Sequence, residues 1–193
     1  MSATKILVIP GSLRTGSFNV RLAALAAKEL ALAGVEVTRI SLADYPLPIY
    51  DADLEAESGV PRPAVDLRHM IANHQGVLLV SPEYNASVPP LLKNAIDWVS
   101  RVRERGETPV QVFRDRAFAI AAASAGKFGG MRALMAWRQV LTLGLGATVI
   151  PQQMALSGAD HAFDDDGQLK DTRDAEALRG VVRQLIDVAQ QMR

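Results

Sequence analysis

Residues 10–19 read PGSLRTGSFN, directly after the apolar run Ile6-Leu7-Val8-Ile9 and directly before an Ala- and Leu-rich stretch. Such a strand-to-helix turn can hold an anion. Backbone N–H groups at a helix start lack internal partners, and the positive end of the helix dipole adds to them. Ser12, Ser17 and Asn19 can donate further hydrogen bonds, and Arg14 brings a full charge on a planar fork. Gly11 and Gly16 keep the glycine spacing of a Walker A loop, but Ser17 and Phe18 stand where its lysine and hydroxyl belong. The triphosphate chemistry of that loop is therefore not expected, and the dinucleotide fingerprint G-x-G-x-x-G is missing as well. A single terminal phosphate suits what remains. Taken alone, the loop also reads as a serine-capped helix beside a surface arginine.

Two further segments carry the same kinds of residue. Ser81-Pro82-Glu83-Tyr84-Asn85-Ala86-Ser87 sets an acid, an aromatic and an amide between prolines, after the apolar run 77–80. Prolines limit backbone freedom, so this loop can present a rigid face to a planar ligand. Ser124-Ala125-Gly126-Lys127-Phe128-Gly129-Gly130 follows the run 117–123.

Alternation of short apolar runs with helical patterns must position these three loops. Strands are expected over 5–9, 35–40, 77–80, 117–123 and 147–150. Helices are expected over 17–33, 65–73, 90–103, 131–143 and 174–192. Leu92, Ala95, Ile96, Val99 and Val102 recur at helical spacing, as do Leu178, Val181, Val182, Leu185 and Ala189. Strands apolar on both faces indicate a parallel sheet covered by helices on both sides. Five β-α units predict one doubly wound α/β domain over residues 1–193. In strand order 2-1-3-4-5, strands one, three and four are neighbours, and their loops share one edge of the sheet, where ligands of this architecture bind. Segments 45–63 and 152–172 read as long surface loops.

Composition narrows the function classes. The 21 Lys and Arg balance the 21 Asp and Glu, which argues against a nucleic-acid surface. No cysteine is present, so disulfides, thiolate catalysis and iron–sulfur ligation are excluded. No run is long and apolar enough for a membrane helix, and no basic leader precedes the first strand. A soluble, cytoplasmic protein is expected. His69 and His74 are poorly spaced for one metal, His161 lies in a late loop, and no metal site is expected. Asp164-Asp165-Asp166-Gly167 lacks the alternating acids and closing glutamate of a calcium loop and reads as a turn.

The stretches GSLRTGSFN, SPEYNASVPPLLKNAIDW and ASAGKFGG together resemble the NAD(P)H-dependent FMN reductases, a family that includes bacterial quinone, chromate and azo reductases. The resemblance runs in order over about residues 4–145. It implies a flavodoxin-like fold with FMN at the three-loop edge. It places Ser12, Arg14, Ser17, Phe18 and Asn19 at the FMN phosphate. It places Pro82, Glu83, Tyr84 and Asn85 along the isoalloxazine ring, with Ser124, Ala125 and Gly126 completing the pocket. It implies hydride transfer from NADH or NADPH through FMN to a small acceptor, with the flavin and no side-chain nucleophile carrying the chemistry. It also implies a homodimer or homotetramer with the helix over 91–98 at the interface, where Leu91 and Trp98 are expected to face a partner subunit. A non-catalytic flavodoxin-type electron carrier and a flavin-based redox sensor remain open alternatives. A phospho-receiver domain is disfavoured, because Pro10 and Ser81 stand where its strand-end carboxylates belong.

Overall fold

The computed structural model describes residues 3–192. Strand β1 (Lys5–Pro10) leads through the first loop into helix α1 (Phe18–Leu32). Then come β2 (Glu36–Arg39), α2 (Ala52–Ser58), α3 (Arg62–Ala72), β3 (Gly76–Val80) and α4 (Pro90–Arg101). The second half holds α5 (Gln111–Arg114), β4 (Ala117–Ala123), α6 (Met131–Arg138), β5 (Thr148–Val149), β6 (Met154–Leu156) and α7 (Thr172–Gln191).

The sheet is parallel in the order β2-β1-β3-β4-β5, as expected from the sequence, and β6 also pairs with β4. Every residue of β3 and β4 is buried, which explains their unbroken apolar character. The strand period sorts them between two cores. Ile6, Val8, Leu78, Val80 and the alanines 117, 119, 121 and 123 face one cluster with α1 and α7. Leu7, Ile9, Val77, Leu79, Phe118, Ile120 and Ala122 face the other, with α3, α4 and α6. Both helical stripes read from the sequence are buried, except that Val102 is the residue that ends α4.

Three expectations need correction. The 147–150 strand is only the first half of an edge strand. Thr148 and Val149 pair with Ala117 and Phe118, and the chain pairs again only when Met154 meets Ala121. The Ile150 N–H still bonds the Phe118 carbonyl at 2.8 Å, residues 151–153 then leave the sheet, and Arg138 satisfies the carbonyls of Ile150 at 2.9 Å and Pro151 at 2.8 Å. The segment 152–172 thus contains a strand that the apolar pattern, broken by Pro151, concealed. The segment 45–63 contains α2, capped by Asp51, whose carboxylate accepts from the N–H of Asp53 at 2.8 Å. Lacking any buried residue, α2 has no apolar stripe to betray it.

This segment also changes the role of Trp98. Pro48 accepts from Trp98 Nε1 at 2.7 Å and from Asn94 Nδ2 at 2.8 Å, and the Tyr50 ring lies edge-on at 5.0 Å. Trp98 is completely buried under its own chain and is not available to a partner subunit.

His74 closes the opposite end of the sheet. Its ring is buried, with Nδ1 2.6 Å from the Met70 carbonyl and Nε2 2.9 Å from the Thr38 hydroxyl. Burial pushes the imidazole below its ordinary value, nearby Lys5 adds to this, and the Met70 carbonyl and Glu36 oppose it. The fold therefore favours the neutral ring. The unfolded chain takes up a proton near pH 6.5 that the folded chain refuses, so stability present above that pH is lost as pH falls toward the folded value. Urea unfolding at about pH 7.5 and about pH 5.5 should show this loss. It should shrink in His74→Gln, and an identical loss in both proteins would remove His74 as its source.

Candidate functional site

The first loop is built by close approach. A side chain on Gly11 would sit 2.9 Å from Leu92 Cδ2 and 3.3 Å from Pro82 Cδ and would have to displace Leu92, so glycine lets β1 run this close to α4 and the second loop. Ser17 caps α1, and its hydroxyl oxygen accepts the Val20 N–H at 3.5 Å. Ser12 accepts the Arg14 N–H at 3.3 Å and folds the loop back on itself. Both serines are buried yet keep an O–H to donate. The N–H groups of Phe18 and Asn19, in the first helical turn, take no acceptor among the described residues. Arg14 is exposed and has no carboxylate partner among them, and its guanidinium lies 5.6 Å from the Phe18 ring centroid. Hydroxyls, helix-start N–H groups and one unpaired guanidinium form an anion cradle.

Asn19 does something the sequence did not disclose. Its side-chain amide donates to the Ala123 carbonyl and accepts the Ala123 N–H, both at 2.9 Å and both buried. The side chain thus ties the start of α1 to the end of β4, and what it offers a ligand is its backbone N–H.

The second loop leaves β3 at Ser81, which is fully buried. Ser81 Oγ accepts from Trp137 Nε1 at 2.7 Å and donates to the Pro82 carbonyl at 2.9 Å. Tyr84 and Ser87 exchange backbone hydrogen bonds at 3.1 and 3.0 Å, closing a tight turn. The central residues Asn85 and Ala86 have φ of 49° and 64°, the left-handed pair that such a turn requires. Asparagine tolerates this conformation. For alanine it costs about 1–2 kcal/mol, held by the surrounding structure. Tyr84 stands half exposed at the tip.

Glu83 is likewise occupied. Its carboxylate accepts from the backbone N–H of Arg132 at 3.0 Å and of Ala133 at 3.3 Å, and from Arg132 Nε at 2.7 Å. It is the N-terminal cap of α6, supplied from another loop. The preceding Gly129 and Gly130 have φ of 59° and 89°. A side chain on Gly129 would meet the Ala155 backbone at 2.6 Å, so the third loop can lie against β6 only as glycine. In that loop Ser124 Oγ accepts the Gly126 N–H at 3.2 Å. Ala125, Gly126 and Phe128 are exposed.

The three loops therefore meet at the carboxyl ends of adjacent β1, β3 and β4. Of the predicted residues, Ser12, Arg14, Ser17, Phe18, Tyr84, Asn85, Ser124 and Ala125 come to this edge with a side chain or an N–H still to offer, while Gly126 has its N–H bonded to Ser124 Oγ and its carbonyl to the Gly129 N–H. Asn19 and Glu83 come to it as braces, and buried Pro82 comes as a packing contact against Gly11. Sequence reasoning missed Ser81, Trp137 and Arg132 as anchors, because each acts across more than 45 residues with no local pattern. His69 lies 2.6 Å from Glu104, away from this edge, whereas the exposed His161 comes two residues after Ala159, whose N–H donates to the Ser124 carbonyl at 3.1 Å. Asp164 closes a turn with Gly167.

A parallel sheet in this order, with an anion cradle after β1 and turn loops after β3 and β4, defines the flavodoxin-like class. The sequence model for NADPH-dependent FMN reductases matches residues 4–161. A quinone reductase of Escherichia coli is 41% identical over 138 residues, covering 71% of this chain and 69% of its own. An NAD(P)H-dependent FMN reductase of Pseudomonas aeruginosa is 38% identical over 177 residues, covering 91% and 89%. Among solved structures, the flavoenzyme NAD(P)H:(acceptor) oxidoreductase FerB of Paracoccus denitrificans superposes with a TM-score of 0.80 at 28% identity, covering 98% of both chains. The chain belongs to the NADPH-dependent FMN reductase family and is a flavoprotein oxidoreductase. No helix among the described residues is long and apolar enough to cross a membrane.

The Glu83 brace makes a testable difference. Glu83→Ala removes the cap of α6 and leaves two N–H groups without acceptor, so unfolding free energy should fall by about 1–3 kcal/mol. Arg132→Ala removes only a half-exposed partner and should cost less than about 1 kcal/mol. Equal losses in urea titrations would show that the ion pair, rather than the cap, is what Glu83 supplies.

Proposed function

We propose that the protein passes a hydride from NADH or NADPH through bound FMN to a small acceptor such as a quinone, a free flavin, chromate or an azo compound. The anion cradle at the start of α1, within the region that matches the family, is the observation that carries this reading. FMN, when bound, supplies the chemistry of accepting a hydride and releasing electrons, in a ping-pong cycle where the oxidised donor leaves before the acceptor enters. The residues present fit that group. Ser12 and Ser17 donate hydroxyl hydrogen bonds to its phosphate, the Phe18 and Asn19 N–H groups add theirs, and Arg14 neutralises charge that partial dipoles cannot. The left-handed turn at Asn85 and Ala86 keeps the loop beside Tyr84 from collapsing, so a flat ligand meets a preformed wall. Ser124, Ala125 and Gly126 close the pocket on the β4 side; the Ser124 and Gly126 N–H groups are taken by the Leu156 carbonyl and Ser124 Oγ, and the Ala125 N–H offers a donor to a ring that gains charge. The whole chain acts as one unit in the cytoplasm, without nucleic acid.

Adding NADPH or NADH without oxygen to FMN-loaded protein should bleach the flavin absorption, and a quinone added afterwards should restore it. An electron carrier would be bleached by neither nicotinamide. Arg14→Ala should weaken FMN binding by about 10- to 150-fold, the worth of one charge-assisted hydrogen bond, and Arg14→Lys should recover part. Riboflavin, lacking the phosphate, should bind all three proteins alike. FMN affinity within a factor of about two of wild type in Arg14→Ala would place the phosphate elsewhere.

We further infer self-association as a homodimer or homotetramer. Trp98 is unavailable, but Ile49, Met135 and Leu143 are 75%, 64% and 81% exposed and supply apolar surface. Light scattering at micromolar concentration should give at least twice the 20.8 kDa chain mass, and a monomer would end the inference.

A further inference from the structure

The first loop has a second side. A cavity of about 470 Å3 opens between it and the end of β2, lined among others by Ser12, Arg14, Thr15, Arg39, Ser41 and Asp44. This is not the side that meets the β3 and β4 loops. Asn19 faces Ala123 at the end of β4, whereas Val20, the next residue around the helix, lines the cavity. Arg39 is the last residue of β2 and stands across from Val8 of β1, which brings it to the same edge as the loop. Among the described residues neither Arg39 nor Arg14 has a carboxylate partner. The Ser41 hydroxyl, which accepts the Ala43 N–H at 3.2 Å, keeps its proton to donate. One acid, Asp44, also lines it, so with Arg14 given to the flavin phosphate Arg39 is the cation left to meet an anion there.

A second cavity, about 390 Å3, adjoins the first and shares Leu13 and Ala43 with it. Its lining is apolar, with Leu42, Tyr45, Leu47 and Leu91. Both volumes lie in the range of small-molecule sites. A cationic pocket beside an apolar groove suits a ligand with a phosphate on one side and a flat base on the other. Leu13, which lines both cavities, is half exposed.

We propose that this pocket receives the 2′-phosphate of NADPH, the base of its adenosine lying in the apolar groove, and that Arg39 is the residue that distinguishes NADPH from NADH. The proposal rests on the oxidoreductase reading above and names where that donor's phosphorylated end is held. Arg39 offers a planar fork to a phosphate carrying close to two charges, which NADH lacks. Arg14, on the rim shared by both sides of the loop, remains assigned to the flavin phosphate.

Isothermal calorimetry on FMN-loaded protein tests the pocket without turnover. Adenosine 2′,5′-bisphosphate should bind wild type about 10- to 150-fold more tightly than adenosine 5′-monophosphate. Arg39→Ala should abolish most of that difference, and Arg39→Lys should restore part. Asp44→Asn, which removes the opposing charge, should tighten the bisphosphate. In steady-state assays the ratio of kcat/KM for NADPH over NADH should fall in Arg39→Ala by a similar factor. Equal affinity of the two probes for wild type, or a gap that survives Arg39→Ala, overturns the proposal. If the holoprotein oxidises neither nicotinamide, the oxidoreductase reading has failed, and the calorimetric comparison still decides what the pocket binds.

Discussion

The site depends on one buried contact above the others, the pair of hydrogen bonds between the Asn19 amide and the backbone of Ala123. These residues are 104 positions apart in the chain. One sits where α1 begins and the other where β4 ends. The contact sets the distance between the anion cradle and the third loop, hence the room left for a ligand that spans both. Two such bonds in a dry environment resist opening, because either partner left alone would carry an unsatisfied buried polar group. A functional edge made of loops needs this kind of brace, since loops have no ladder of their own to hold them in register.

The other two joints follow the same logic. Ser81 and Trp137 pin the second loop to α6 from below, and Glu83 pins it to the start of the same helix from above. The third loop reaches α6 through Gly129 and Gly130, whose positive φ lets it press against β6. The first loop is joined to the second at Gly11 and Pro82. Three segments far apart in sequence thus behave as one rigid rim. Rigidity suits a flavin site, where the protein contributes position and electrostatics and the cofactor contributes reactivity. The strained turn at Ala86 is affordable only because its neighbours are held this way.

The rim also separates two environments. Inside, toward β3 and β4, lie the Ser17 hydroxyl and helix-start N–H groups of the cradle, while Ser12 and Arg14 border the outer cavity as well. Outside, toward β2, lie Arg39, Ser41 and the apolar groove. A single loop with two usable sides is a consequence of the strand order: β1 is central, so its loop has neighbours on both flanks, β2 on one and β3 on the other. A loop at the sheet edge would have had only one.

The sequence by itself determined the architecture and the edge at which the three loops gather. Apolar runs such as 6–9, 77–80 and 117–123 can be buried on both faces only in a covered parallel sheet, and turn-rich stretches after them can lie only at its carboxyl edge. These are local properties of composition and period. The tertiary structure decided which residues of those stretches remain free for a ligand. Asn19, Glu83 and Trp98 looked like ligand or interface residues because their chemistry allows it. The side chain of each is instead taken by a partner distant in the chain: Ala123, the start of α6, and Pro48. β6 and α2 stayed hidden for related reasons, one broken off by the bulge at Pro151 and the other without a buried face. Hydrogen-bonding capacity is written in a residue's type, but whether it is already spent depends on what the folded chain brings within reach of it.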